Sequence, residues 1–302
     1  MAAVAILGPG GVGGLLAAAL SRAGEPVVVV AREPTTRRIA THGLQVESAR
    51  LGRFAARPDA TSVLRDRPSV LLVTTKATTL APALERIQVE PDLTVPLLNG
   101  LEHMQLLRDR FGAERVAAGV IRVESDSPEP GRVVQTSPFL RVDVAADDPR
   151  LHPPLEAVAQ MLERSGIPVQ LDSSEARVLW LKLVRLVALA CTTSASDRPI
   201  GFIRSDPEWR ATLSACIEEA AAVAGAEGAE AAPTAVLAEL HEAHPGLSSS
   251  MQRDIAAGRT PELDAIAGAV LRAGKRHGIE CPTIRRLSVE IAERAGITPP
   301  EA

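Results

Sequence analysis

Tyrosine is absent from this chain of 302 residues, and the aromatic residues amount to four Phe and two Trp. No step of a reaction can therefore use a tyrosine hydroxyl as acid or base. Proteins that hold single-stranded nucleic acid stack bases on aromatic faces, and six scattered aromatics make a poor platform. A basic excess is also missing. Lys and Arg total 33 against 37 Asp and Glu, a net charge of −4, which gives no support for phosphate-backbone binding. Cysteine is scarce. Cys191, Cys216 and Cys281 are far apart and form no C-x-x-C pair, so they read as buried, reduced thiols of a cytoplasmic protein rather than as a disulfide framework. No apolar run reaches the roughly 18 residues of a membrane span, and the N-terminus lacks the basic stretch that opens a signal peptide. His241-x-x-His244 has no further ligands in register, so no metal is expected. The expected partner is a small molecule, not nucleic acid or a membrane, and the expected state is a monomer or homodimer.

What the chain has in quantity is Leu, Val, Ile and Ala in short, patterned runs. Val4–Leu7 reads as a buried strand, Leu15–Arg22 as a helix and Val27–Val30 as a β-branched strand. Ser69–Thr75 and Leu93–Leu98 are further strands, with a helix over Thr79–Ile87 between them. Strand and helix in alternation predict a parallel sheet covered on both faces. Val116–Val144 is strand-rich around a Pro-Gly turn and reads as an antiparallel addition. Leu155–Gly166 is a helix, and a last strand follows. Beyond Leu171 the chain reads as helical. Ser173 or Ser174 caps a helix running to about Cys191. Ser205-x-x-Glu208 is a capping box. Thr260-Pro261 starts a later helix with Pro in its first turn. The fold class is α/β: a Rossmann-type dinucleotide-binding domain over 1–172, then an all-helical substrate domain over 173–302.

Gly8-Pro9-Gly10-Gly11-Val12-Gly13 fits G-x-G-x-x-G between a strand and a helix. There the glycines permit a tight turn and close approach to a pyrophosphate, with the helix N-terminus facing its charge. The second strand of such a domain usually ends in an acid when the cofactor is NAD. Here it is followed by Ala31 and Arg32, and a guanidinium suits a 2′-phosphate, so NADP is expected. Arg37 and Arg38 add positive charge nearby. Glu33 competes, because it can turn toward a ribose.

Lys76 and Asn99 each follow a predicted parallel strand, at the edge where such sheets bind ligands. Either could equally be a loop residue. In the run Val178–Cys191 only Lys182 and Arg185 carry charge. A lysine there must snorkel, find a partner or point into a cleft, and burial together with a cation at i+3 would lower its pKa. Such a lysine suits proton donation to a carbonyl oxygen as hydride arrives from a nicotinamide. Glu262 reads as an acid in a first helical turn, favourable for the dipole alone. Ser248–Met251 reads as a cap or polar loop.

Taken in order, the glycine motif, Thr75-Lys76-Ala77, Leu98-Asn99-Gly100, Trp180-Leu181-Lys182-Leu183, Ser249-Ser250-Met251 with Asp254, and Glu262-Leu263-Asp264 make the chain resemble the ketopantoate reductases (2-dehydropantoate 2-reductases) over nearly its full length. The resemblance implies NADPH-dependent reduction of a 2-oxo acid to a 2-hydroxy acid in a cleft between a Rossmann and a helical domain. It implies Lys182 as the general acid and Glu262 as an organiser of substrate and cofactor. Lys76 and Asn99 would lie near nicotinamide and substrate, Ser250 at the substrate carboxylate and Arg32 at the 2′-phosphate. Leu186, Ala190 and Leu247 depart from it, standing where the family has asparagines that hydrogen-bond substrate. Their apolar side chains leave the exact 2-oxo acid open, since a site built for a hydroxyl discriminates strongly. Two other readings remain: an NADP(H)-binding redox sensor without turnover, and a 3-hydroxyacid or 6-phosphogluconate-type dehydrogenase.

Overall fold

Four consecutive valines cannot alternate between a wet and a dry face, so they predict a strand covered on both sides. The computed structural model, which describes residues 4–301, places them as β2 (Val27–Val30), paired in parallel to β1 (Val4–Leu7). The first three residues, part of the stretch read as lacking a signal peptide, lie outside that range. The chain divides into two compact units, Met1–Leu98 with His103–Val178, and Asn99–Glu102 with Leu179–Ala302.

In the first unit, α1 (Gly11–Arg22) and α2 (Glu33–His42) follow β1 and β2. Three strands come next: β3 (Leu44–Ser48), β4 (Gly52–Ala56) and β5 (Asp59–Thr61). Then come β6 (Val70–Val73), α3 (Leu80–Leu84) and β7 (Leu93–Pro96). The central sheet is parallel throughout, in the order β5-β2-β1-β6-β7. Ile6, Leu16, Leu20, Val29 and Leu72 are fully buried in its core. The helix expected over Thr79–Ile87 is shorter, a 3-10 turn at Ala77–Thr79 followed by α3.

After α4 (His103–Phe111) come β8 (Ala118–Arg122), β9 (Ser125–Asp126), β10 (Arg132–Gln135) and β11 (Arg141–Ala145). The unit goes on with α5 (His152–Arg164) and β12 (Val169–Asp172) and runs to Val178, within the first turn of the next helix. The stretch expected to be antiparallel is mixed. β11 is antiparallel to β8 but parallel to β12, and β10 is antiparallel to β9 but parallel to β3.

The helix α6 (Glu175–Ser196) is N-capped by the Ser174 hydroxyl, which accepts from Arg177 N at 3.2 Å, and it runs five residues past Cys191. Its length and composition are enough to cross a membrane, unlike the sequence expectation, because Thr192–Ser196 lengthen the helix without adding charge. In its most apolar window 67% of the residues are buried inside the fold, as in the core helix of a globular protein. The second unit continues with α7 (Ile200–Ser205), α8 (Pro207–Ala226), α9 (Pro233–Glu242), α10 (Ser250–Ala256), α11 (Ala269–His277) and α12 (Pro282–Ala295). Aliphatic side chains make up most of its buried core, including Leu213, Ile217, Leu240, Val270 and Leu287.

Two expected caps differ. The cap of α8 is Asp206, whose carboxylate accepts from Glu208 N and Trp209 N at 3.0 Å, while the Ser205 hydroxyl turns back to the carbonyl of Phe202. With Pro207 occupying the first helical position, the N-cap falls on Asp206, whose charged side chain takes the place assigned to Ser205. Pro261 and Glu262 precede a helix instead of starting one. Regular structure begins at Leu263, and a π turn over Asp264–Gly268 leads into α11.

Candidate active site

The glycine motif forms the turn from β1 into α1. Gly8 has φ +92°, and a Cβ there would also sit 2.7 Å from the Thr75 methyl. At Gly13 a Cβ would lie 2.2 Å from Thr74 Oγ1 and 2.3 Å from the Gly8 carbonyl. The Thr74 hydroxyl is seated in this turn, within 3.0 Å of the Leu7 carbonyl and 2.9 Å of the Gly8 carbonyl. Gly11 is packed against the Ser125 carbonyl, and the Ser125 hydroxyl donates to Gly11 O at 2.8 Å. Gly10 differs: a Cβ on it would meet nothing within 4 Å. As N-cap of α1 it brings no side-chain hydrogen bond to the first-turn N–H groups. Three glycines thus close the turn and one leaves backbone donors open, an arrangement that fits a pyrophosphate. Thr74 and Ser125 were not singled out in the sequence, because a hydroxyl that locks a distant turn has no local signature.

Past β2, Arg32 is exposed and is the N-cap of α2. Glu33 accepts from Arg37 Nε at 2.9 Å in an i,i+4 pair. That hydrogen bond is the main cause holding the Glu33 carboxyl below its usual range. Lys76 is exposed past β6, and its carbonyl accepts from Thr79 N at 3.0 Å.

The second unit holds Asn99, Lys182, Ser250 and Glu262. It brings Asn99 and Glu262 together across 163 positions of sequence: Asn99 Nδ2 donates to Glu262 Oε2 at 3.0 Å. Glu262 is 6% exposed, and the ladder goes on from its carbonyl, which accepts from Ile266 N at 3.1 Å. An amide donor suits a buried carboxylate, which needs partners once out of water. The π turn follows directly, and such turns occur often at functional sites. Lys182 is half-buried on α6, and Leu186, one turn on, is half-buried too, whereas Ala190 and Leu247 are buried. Arg185, the cation at i+3, is paired with Glu239 at 2.7 Å.

Ser250 begins α10, but the cap is its neighbour. The buried Ser249 hydroxyl accepts from Gln252 N at 3.0 Å and from Thr193 Oγ1 at 2.9 Å. Asp254 is buried and ion-paired to Arg259 at 2.9 Å. Among the described residues, no group of three or more His, Cys, Asp or Glu is placed to hold a metal ion.

The chain matches the family profile "Ketopantoate reductase PanE/ApbA" over residues 4–146 and "Ketopantoate reductase PanE/ApbA C terminal" over 176–295. A 2-dehydropantoate 2-reductase of Caulobacter vibrioides is 30% identical, the alignment covering 93% of this chain and 95% of that one. The crystal structure of a 2-dehydropantoate 2-reductase from Geobacter metallireducens superposes with TM-score 0.89 at 27% identity, covering 96% of this chain and 99% of that one. A D-mandelate dehydrogenase solved with NADH and anilino(oxo)acetate shares the fold, with TM-score 0.89 at 21% identity over 97% and 98% of the two chains.

Proposed function

The chain belongs to the ketopantoate reductase family, and on that premise we propose that it is an NADPH-dependent reductase converting a 2-oxo acid into the 2-hydroxy acid in the cytoplasm. The observation that carries most weight is the Gly8–Gly13 turn, with its open Gly10 and the uncapped N-terminus of α1. A nicotinamide dinucleotide bound there, when reduced, supplies two electrons and a hydrogen to C2 of the substrate. Arg32, exposed at the end of β2, faces the 2′-phosphate in this reading. Glu33, the rival signal for NAD, is already engaged by Arg37, which supports NADP. Lys76 contributes positive charge past β6.

Lys182 gives the proton that the carbonyl oxygen needs to become a hydroxyl. Arginine cannot do this, being permanently protonated, and the chain has no tyrosine. Asn99 and Glu262 act as one unit that orients substrate, and Ser250 takes the carboxylate at the start of α10. Leu186, Ala190 and Leu247 present no hydrogen-bonding side chain. A 2-oxo acid with an apolar substituent therefore fits better than one bearing a hydroxyl.

The test follows NADPH consumption at 340 nm over a panel of 2-oxo acids that includes 2-dehydropantoate. Turnover is expected, and Lys182→Ala and Lys182→Arg should each lower kcat by roughly a hundredfold or more. Full activity in both variants would remove Lys182 from the mechanism. Tight NADPH binding with no turnover on any 2-oxo acid would instead favour a redox sensor.

A further inference from the structure

The segment Asn99–Glu102 lies in the second unit although the chain on both sides of it lies in the first. Something must hold these four residues where Asn99 reaches Glu262. Gly100 allows the approach: it has φ +87°, and a Cβ on it would stand 2.3 Å from the Ala265 carbonyl. Arg272, on α11, supplies the grip. Its Nε donates to Glu102 Oε1 at 2.7 Å and its Nη2 to Oε2 at 2.8 Å, a two-pronged contact. The same guanidinium reaches Asp264, with Nη1 donating to Oδ1 at 2.8 Å and Nη2 to the carbonyl at 3.2 Å. Its last donor goes to the Glu301 carbonyl at 3.2 Å. Gly268 leaves the room this needs, since a Cβ there would be 2.9 Å from Arg272 Nη1 and 2.7 Å from Asp264 Oδ1.

The two carboxylates that Arg272 holds flank the amide–carboxylate pair. Glu102 is three residues after Asn99, and Asp264 is two after Glu262. We propose that Arg272 is a positioning residue for the reaction: by binding Glu102 and Asp264 at once, it sets the separation of Asn99 and Glu262 without contacting either. A planar fork with five donors can do this, whereas a lysine ammonium has no rigid geometry to hold two carboxylates in register. The kinetic part of this inference rests on the reductase reading above.

The experiment compares Arg272→Gln, Arg272→Lys and, as control, Arg276→Gln. Arg276 is on the same helix but pairs with Glu227 at 2.9 Å. Two readouts are taken. The first is the Asn99 side-chain amide signal in a proton–nitrogen NMR spectrum, identified by its loss in Asn99→Ala. It should shift in Arg272→Gln and stay put in Arg276→Gln. The second is steady-state kinetics with the 2-oxo acid. Arg272→Gln should lose about tenfold or more in kcat/KM, since small misplacements of orienting groups are costly, while the Kd for NADPH is unchanged. Arg272→Lys should recover only part of the loss. The proposal is overturned if the Asn99 signal does not move in Arg272→Gln, if it moves equally in Arg276→Gln, or if it moves with no loss of kcat/KM. Should the wild-type protein reduce no 2-oxo acid, the proposed reaction fails, and the NMR comparison still decides whether Arg272 sets the pair.

Discussion

Gly10 and Gly13 are three residues apart in one motif yet predict opposite outcomes. Alanine at Gly13 would force a methyl onto Thr74 Oγ1 and the Gly8 carbonyl, and overpacking of that kind costs about 1–3 kcal/mol. Alanine at Gly10 meets nothing, and its φ of −74° suits any residue. Gly13→Ala should therefore lower the urea midpoint. Gly10→Ala should leave that midpoint unchanged and weaken NADPH in a fluorescence titration. Equal effects of the two on stability would refute this division of labour. The motif itself was legible in the sequence, because glycine spacing between a strand and a helix is a local pattern. The division inside it was not, since it depends on Thr74 and Ser125, which are distant in the chain. The same holds for Glu262. Its sequence context showed only an acid near a helix start, and its amide partner comes from a residue on another stretch of chain.

Helix ends show what an element asks of its first residue. Ser249 serves two needs, capping α10 and accepting from the buried Thr193 hydroxyl. Ser249→Ala should cost about 1–3 kcal/mol, combining a lost cap with a buried hydroxyl deprived of one partner. Ser250→Ala should cost far less stability and show its effect in KM for the 2-oxo acid, if Ser250 serves the carboxylate. Urea denaturation and kinetics on the two variants separate the roles; a larger stability loss at Ser250 would contradict them. Elements with a strong apolar signal were legible: β1, α1 and β2 follow from apolar runs, and α6 from a long one interrupted only by Lys182 and Arg185. β3, β4 and β5 were not, because β3 carries only one short alternation, Leu44-Gln45-Val46-Glu47, and β4 and β5 hold a single large apolar side chain, Phe54, which leaves little to tell strand from loop. The π turn after Glu262 has no sequence period of its own, so Pro261 read as a first-turn proline when it precedes the helix.

On the scale of the whole chain, the scarcity of tyrosine and lysine leaves few groups to titrate in alkali. Lysine occurs only as Lys76, Lys182 and Lys275, the other 30 basic side chains being arginines that stay charged throughout the accessible range. The three thiols dominate what remains, and all lie in the second unit. Burial pushes Cys191 up to about 12 and Cys281 up to about 11, and raises Cys216 well above its ordinary 9.0. A group whose pKa is raised by folding stabilises the native state fully below the unfolded pKa, and that contribution is lost as pH climbs to the folded value. Stability of the second unit should thus hold steady to about pH 9 and fall from there toward pH 12, at about 1.4 kcal/mol per unit of pH for each thiol ionised only in the unfolded chain. Urea midpoints read at a series of pH values should trace that fall. Cys191→Ala should flatten it, at the expense of some packing at neutral pH. With no tyrosine in the chain to titrate near pH 10, the slope reports on the thiols. A midpoint that declines equally in Cys191→Ala would remove this thiol from the account.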